Sequence, residues 1–386
     1  MQSLSYVFKG VQCKTSCSEM LPPEKRQGLN LTGSLAYKTS LAMVCLLLGM
    51  GCSSAKAATI TNELNKAALL GVIEAGDQAE IITNYSSLKR SPDKDFQVMA
   101  ATYNHLAKRG ILARRAFLMQ SALSVFAKHG DKAVGTRVKL HGSIVVARVS
   151  GAGWQVHPLA SAGSLNAQAL TSKGAVAAGE SLLKISVNGK YGRRFEYLFS
   201  WYNAPPRWIS GMAQAVAASA FARLYSRTGD QRWRRAALSS LKPMLLPPLR
   251  GTTVKGLTGD SSLLYPSQPK MLVANAQLWA TVSAQEVAVM TGDPQARLLA
   301  DRLLAQSLFE LPLYASGANW TLYQIGGKPA SREYHYLTVQ ALRRLCKTRV
   351  EFCGFADRYG GEVPLSIQSL SFAKLANSSN PRFFYL

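Results

Sequence analysis

Three short segments of this sequence concentrate residues that could do chemistry. The first is Trp208-Ile209-Ser210-Gly211-Met212-Ala213-Gln214; the second is Tyr265-Pro266, with Asn275 ten positions beyond the tyrosine. The third runs from Leu311-Pro312-Leu313-Tyr314 through Gly317 and Tyr323 to Tyr334-His335. The chemistry open to the tyrosines is proton transfer, provided that nearby cations lower the ordinary phenol pKa of about 10. Cations are plentiful, 45 Lys and Arg against 21 Asp and Glu, for a formal charge of +24. Other chemistries find no foothold: the sequence has no G-x-S-x-G elbow, P-loop or H-E-x-x-H. Its five histidines (His105, His129, His141, His157, His335) do not cluster, which disfavours a metal site.

Each of these residues also has a structural reading. Tyr265 before a proline can be a turn residue whose ring packs on a helix, and Tyr334 and Tyr336 can be neighbouring core aromatics with His335 satisfied internally. Gly211-Met212 suits a close-packed helix start. Trp154, Trp201, Trp208 and Trp320 could be sugar-stacking platforms, although tryptophans are buried on average. Arg232, Arg234 and Arg235 read as a solvated face.

The elements that must position these residues follow from periodicity. Over residues 58–135, Leu64, Ala67, Ala68 and Val72 recur at helix spacing, as does a stretch from Phe96 through Met99, Tyr103 and Leu106 to Phe126. Ser91-Pro92-Asp93 separates them as a turn, with Asp93 placed to cap the second. A β unit is expected over 136–202. There Val138, Leu140, Ile144, Val146 and Val149 precede the loop at Ser150, while Leu183, Ile185 and Val187 alternate up to Asn188-Gly189, a hairpin signal, and Phe195, Tyr197 and Phe199 continue beyond it. From 203 to 386 the chain is helical and repeats its punctuation: Thr228-Gly229-Asp230 returns as Thr291-Gly292-Asp293-Pro294, 63 residues later. Glycine supplies the left-handed end of one helix, aspartate caps the next and Pro294 suits its first turn. The fold class expected is mainly α with a β unit: an α/α toroid-like C-terminal domain preceded by a small antiparallel β domain, with an ordinary helical bundle as the alternative for the repeat.

At 386 residues, of which 47% are apolar, the chain should fold, in two or more structural units. Residues 1–57 read as a leader: Lys38 precedes an apolar run from Leu41 to Met50, and Ala55-Lys56-Ala57 offers small residues for cleavage after Ala57. The alternative is a lipid anchor through Cys52. Either implies a periplasmic or secreted protein. Residues 1–57 hold six basic and two acidic side chains, so the remainder keeps +20. Such a charge favours polyanions, and for an exported protein an acidic polysaccharide is the expected partner rather than nucleic acid, for which no zinc-finger spacing or aromatic-basic signature is present. Of six cysteines only Cys346 and Cys353 lie beyond the leader; in an oxidising compartment they can pair to close a short loop, or remain two buried thiols. The oligomeric state is open, with a homodimer among the options.

In order and spacing, the three segments resemble the C-terminal domain of glucuronyl C5-epimerases, with the likeness spanning about residues 195–360. The resemblance implies inversion of carbon 5 of a hexuronate within a polymer, by removal of the proton beside the carboxylate on one face and its return on the other. Such a reaction needs two acid/base groups and hydrogen-bonding or positive groups for the enolate-like charge, and requires no metal or nucleotide, so the resemblance implies no cofactor. By position, Tyr265 and Tyr334 match the family's proton-transfer tyrosines and Tyr323 a supporting one. Asn275 matches a substrate-contacting asparagine, and Gln214 and His335 fall within the same motifs as substrate-binding candidates. Two departures stand out. Leu263-Leu264 replaces the family's acidic residues before the Tyr-Pro turn, leaving Asp260 as a nearby substitute, and Gly326 replaces an arginine, leaving Lys328 or Arg332 to supply a cation. The expectation is therefore an epimerase-like protein acting on acidic polysaccharide, with a non-catalytic polysaccharide-binding protein on the same scaffold, or a polysaccharide lyase, as alternatives.

Overall fold

A computed structural model of the chain describes residues 59–361 apart from 131, 168–171 and 318. The leader, with Cys52 and Ala57, lies outside the described residues. Four helices come first: α1 (Ile60–Leu69), α2 (Gln78–Arg90), α3 (Lys94–Lys108) and α4 (Ala116–His129). Asp93 caps α3 as its position suggested, accepting from the Asp95 amide at 2.8 Å. An antiparallel sheet of β1 (Arg137–Lys139), β2 (Val145–Val149) and β3 (Gly153–Val156) follows, with Arg137 opposite Ala147 and Val146 opposite Val156.

The β unit expected over 136–202 is interrupted by two helices, α5 (Pro158–Ala167) and α6 (Ser172–Lys184). Leu183 therefore belongs to a helix end; alternation over three residues cannot distinguish the two periods when the preceding run is alanine-rich. The hairpin is present two residues later than expected. Strands β4 (Val187–Gly189) and β5 (Gly192–Arg194) pair with Gly189 opposite Gly192, so Asn188 and Gly189 end a strand and Lys190-Tyr191 makes the turn. Short strands β6 (Glu196–Tyr197) and β7 (Trp208–Ile209) then pair across a loop.

The C-terminal half is helical hairpins: α7 (Gly211–Thr228) with α8 (Gln231–Leu241), α9 (Ala274–Thr291) with α10 (Pro294–Glu310), and α11 (Arg332–Cys346) with α12 (Glu351–Gly360). Between them lie the small antiparallel pairs β8 (Thr253–Lys255) with β9 (Asp260–Ser262), and β10 (Ala315–Ser316) with β11 (Trp320–Thr321). The repeated punctuation works as its chemistry requires. Gly229 and Gly292 end α7 and α9 at φ +68° and +62°. Asp230 accepts from the Arg232 amide, and Asp293 from those of Gln295 and Ala296.

Helix α7 packs against α5, α8 and α9, and α9 against α7, α10 and α11. The two are buried almost all round, which is why they are rich in alanine rather than amphipathic. By contrast α8 buries one stripe, Trp233, Ala236, Ala237, Ser240 and Leu241, and exposes Arg232 and Arg235, with Arg234 half-buried against Asp293. A single apolar core runs from Leu64 to Tyr359, so the N-terminal helices, the sheet and the hairpins share one interior. Cys346 and Cys353 form a disulfide joining the end of α11 to α12, the first of the two readings given above. Among the described residues no helix is long and apolar enough to cross a membrane.

Candidate functional site

The first of the three segments builds a platform for the second. Ser210 caps α7, and the next residue, Gly211, lies so close to the chain bearing Leu263 that an added Cβ would sit 2.2 Å from the Ser262 hydroxyl. That approach lets the Gly211 amide donate to the Leu263 carbonyl at 2.8 Å. Leu263 and Leu264 are both buried, and Tyr265 emerges from them into a turn closed by the Gln268 amide on its own carbonyl, with Pro266 at the position where a fixed φ suits the turn. The Tyr265 ring lies 4.9 Å from that of Tyr202 and 6.0 Å from that of Trp208, which is itself stacked on Tyr197.

The third segment closes over this platform. Tyr323 is clamped by its backbone, its carbonyl accepting from Ala274 at the start of α9 and its amide donating to Lys328. Tyr334 sits in the first turn of α11, its amide donating to the Ser331 cap. The Tyr323 and Tyr334 rings are 4.9 Å apart, edge to face, and the Tyr265 and Tyr323 hydroxyls interact with each other. Three tyrosines from three separate elements thus converge, with Tyr202 beside them. Tyr323 and Tyr334 are half-buried, whereas Tyr265 is only 2% exposed.

The cation of this cluster is Arg137, on β1. It interacts electrostatically with Tyr334 and Tyr197, and burial lowers its pKa to about 10 against the raising influence of those two phenols. Behind it His157 is buried and held neutral, its pKa lowered to about 3 first by burial and then by Arg137. Its Nδ1 accepts from the Ala160 amide.

Sequence reasoning expected cations to lower the phenol pKa values, and the structure reverses this. Burial pushes all three up, because a phenolate would lose its water. For Tyr334, Tyr323 adds to the rise and Arg137 opposes it without overcoming it. For Tyr265, the bond to Tyr323 reinforces the rise; for Tyr323 the same bond works downward. Of that pair Tyr323 is the readier to ionise, with Tyr265 donating to it. The cluster as it stands is a set of neutral phenols, with the Arg137 guanidinium acting on Tyr334, suited to holding a carboxylate and to supplying protons.

Several residues singled out from sequence have other work. Gln214 is fully buried and ties the hairpin to α7 and α8: its Oε1 accepts from the Phe195 amide, and its Nε2 donates to the Arg193 and Ser240 carbonyls. This corrects its assignment to substrate. So too for His335, which is 1% exposed, stacked on Trp320 at 3.9 Å, and engaged at Nδ1 by Thr321 and at Nε2 by the Tyr359 carbonyl. The Lys328 and Arg332 side chains are exposed, and neither is among the charges that act on the phenols. Asp260 is buried between Lys255 and Arg302, at 2.7 and 2.8 Å, and does not replace the carboxylate missing at Leu263-Leu264. Asn275, in the first turn of α9, is 4% exposed and its buried Oδ1 has no hydrogen-bond partner. Trp154 and Trp208 are core residues, with Trp201 and Trp320 half-buried. Among the described residues no group of three or more His, Cys, Asp and Glu could hold a metal ion.

Arg137 and Tyr202 were missed from sequence. Arg137 lies in a three-residue strand outside the motif segments, and no local pattern marks it. Tyr202 did carry a signal, standing next to Trp201 between the hairpin and the first motif. Compared with known proteins, residues 187–353 match the family described as D-glucuronyl C5-epimerase C-terminus. No curated protein matches the chain.

Proposed function

We propose that this chain, whose residues 187–353 match the family described as D-glucuronyl C5-epimerase C-terminus, is epimerase-like and acts on hexuronate units of an acidic polysaccharide by exchanging the C5 proton and inverting that carbon. The observation that carries the reading is the convergence of Tyr265, Tyr323 and Tyr334 from separate elements, with Arg137 joining them from β1. The hexuronate carboxylate pairs with Arg137. Tyr323, as phenolate stabilised by the Tyr265 hydroxyl, takes the C5 proton; the electron pair left on C5 flows into the carboxylate as an enolate, whose charge Arg137 offsets. Tyr334 then gives its proton to C5 from the other face; solvent takes the gained proton from Tyr323 and returns one to Tyr334, which resets the phenolate and the phenol. Tyr265, sealed beneath, positions Tyr323 and does not touch the sugar.

A second reading is a protein that binds the same polymer without turning it over, and two observations favour it: Leu263-Leu264 stands where the family carries acidic residues, and burial raises every phenol of the cluster. Incubation with glucuronan, heparosan or alginate in deuterated water separates the readings. Deuterium at C5 with inversion supports the epimerase. Binding without exchange supports the second reading, and a rise in ultraviolet absorbance from a new double bond marks a lyase instead. We further propose export of the chain by its leader, which N-terminal sequencing of the mature protein tests: a start just after Ala57 supports cleavage there, and a blocked, acylated Cys52 supports the lipid anchor.

A further inference from the structure

A cavity of about 1040 Å³ is lined by the segment that follows Tyr202. It lies at the upper end of the roughly 300–1,000 Å³ that small-molecule sites occupy. Its walls come from α1, the approach to α4, the β4–β5 hairpin, the 203–209 segment and the turns at 249–251 and 266–268. Six cations line it, Lys66, Arg114, Arg115, Arg194, Arg207 and Arg250, against one carboxylate, that of Glu196.

The charge at its floor does not close. Glu196 is buried and fully engaged by Arg115, whose Nε and second guanidinium nitrogen donate to its two oxygens at 2.6 and 2.9 Å. Arg115 completes its set on the Ile111 carbonyl. Arg194 and Arg207 come next, with their Nε atoms 3.4 and 3.6 Å from the same carboxylate. Both Nε atoms are buried and make no hydrogen bond. One anion thus serves three guanidiniums, and low-dielectric surroundings make the surplus costly until an anion supplies acceptors.

The backbone points to the same place. Among the described residues four non-glycine positions have left-handed φ: Tyr202 at +44°, Asn203 at +62°, Arg207 at +86° and Leu249 at +76°. Asn203, Arg207 and Leu249 line the cavity and Tyr202 adjoins it. Such strain concentrates where a chain is held for a ligand. In this loop the Arg207 amide is fixed on the Tyr197 carbonyl, which aims the side chain at Glu196.

We infer that this cavity is a second carboxylate-binding site, which holds a hexuronate unit of the polymer away from the tyrosine cluster through Arg194 and Arg207. The wall supplies Pro205 and Pro206 for the apolar faces of the sugar. Trp208 and the Tyr265-Pro266 turn contribute to both sites, so one chain could engage both. The inference rests on the polysaccharide reading for the identity of its ligand, but not on turnover.

The test uses the full chain and heparosan oligosaccharides of two and eight sugars, titrated by calorimetry. Arg114→Ala/Arg250→Ala removes two exposed cations of the wall and leaves the Glu196 cluster intact. It should weaken the octasaccharide roughly tenfold, because two partly screened contacts are lost, while the disaccharide's C5 exchange stays unchanged. Arg207→Lys, which keeps the charge but not the fork that meets a carboxylate side-on, should weaken the octasaccharide by a similar factor; circular dichroism checks that it folds. Carboxyl-reduced octasaccharide should not compete. Unchanged octasaccharide affinity in both variants overturns the inference even if C5 exchange is observed. Equal competition by the carboxyl-reduced oligomer, or by a single-stranded oligonucleotide of equal charge, overturns it as well. Loss of affinity in the variants with no exchange in any protein supports the cavity and refutes turnover alone.

Discussion

The tyrosine cluster and the arginine-lined cavity flank the same segment, Tyr202 to Trp208, yet treat charge in opposite ways. At the cluster one guanidinium, that of Arg137, acts on Tyr334 among phenols that burial keeps neutral. In the cavity three guanidiniums surround one carboxylate and several further cations line the wall. The difference separates grip from chemistry. A strong positive field at the reacting carbon would hold substrate and enolate alike and so add little to turnover. Placed a loop away, the same charges can hold the polymer while the cluster keeps its donors neutral.

The sharpest way to break this division is Tyr334→Phe. Loss of a proton-transfer group should cut C5 deuterium exchange about 10²- to 10⁴-fold with octasaccharide affinity kept within about threefold. Retained exchange would remove Tyr334 from the mechanism. Next in size is Glu196→Gln, which leaves three guanidiniums without their buried counter-charge. It should cost about 3–5 kcal/mol by chemical denaturation, where Tyr334→Phe, at a half-buried position, should cost about 1 kcal/mol or less.

The phenols predict a pH dependence. Because burial holds Tyr323 above its ordinary value, phenolate is scarce at neutral pH and exchange should climb by up to about tenfold per pH unit from 7 toward 9. Arg137→Ala should lower exchange and octasaccharide affinity together, and a flat profile between pH 7 and 9 would mean that no phenolate is used. Stability should respond on the acid side. His157 is held to about 3 when folded, chiefly by burial, so the unfolded chain takes up a proton near pH 6.5 that the folded one refuses. Thermal stability is then expected to decline as pH falls from 6.5 toward 3, with the decline reduced in His157→Gln. The smallest effects belong to Lys328→Ala and Arg332→Ala, whose exposed side chains should change exchange by less than about threefold.

What the sequence determined by itself is local. Gly229-Asp230 and Gly292-Asp293 mark helix ends because a left-handed φ and a cap hydrogen bond are satisfied within a few residues of chain. The short Cys346 to Cys353 spacing left pairing open to geometry, and the three motif segments held the tyrosines that converge. Only the tertiary structure decided which charges meet them. Arg137 reaches Tyr334 from nearly 200 residues away, while Arg332, two positions from that tyrosine, faces solvent. Gln214 and His335 fall within motif segments but spend their hydrogen bonds on the interior. The physical reason is one of range: caps and periodicity act over a turn or two of helix, whereas a phenol's protonation depends on which surfaces exclude its water and which cation lies within a few ångströms. Those are set by packing across the whole chain.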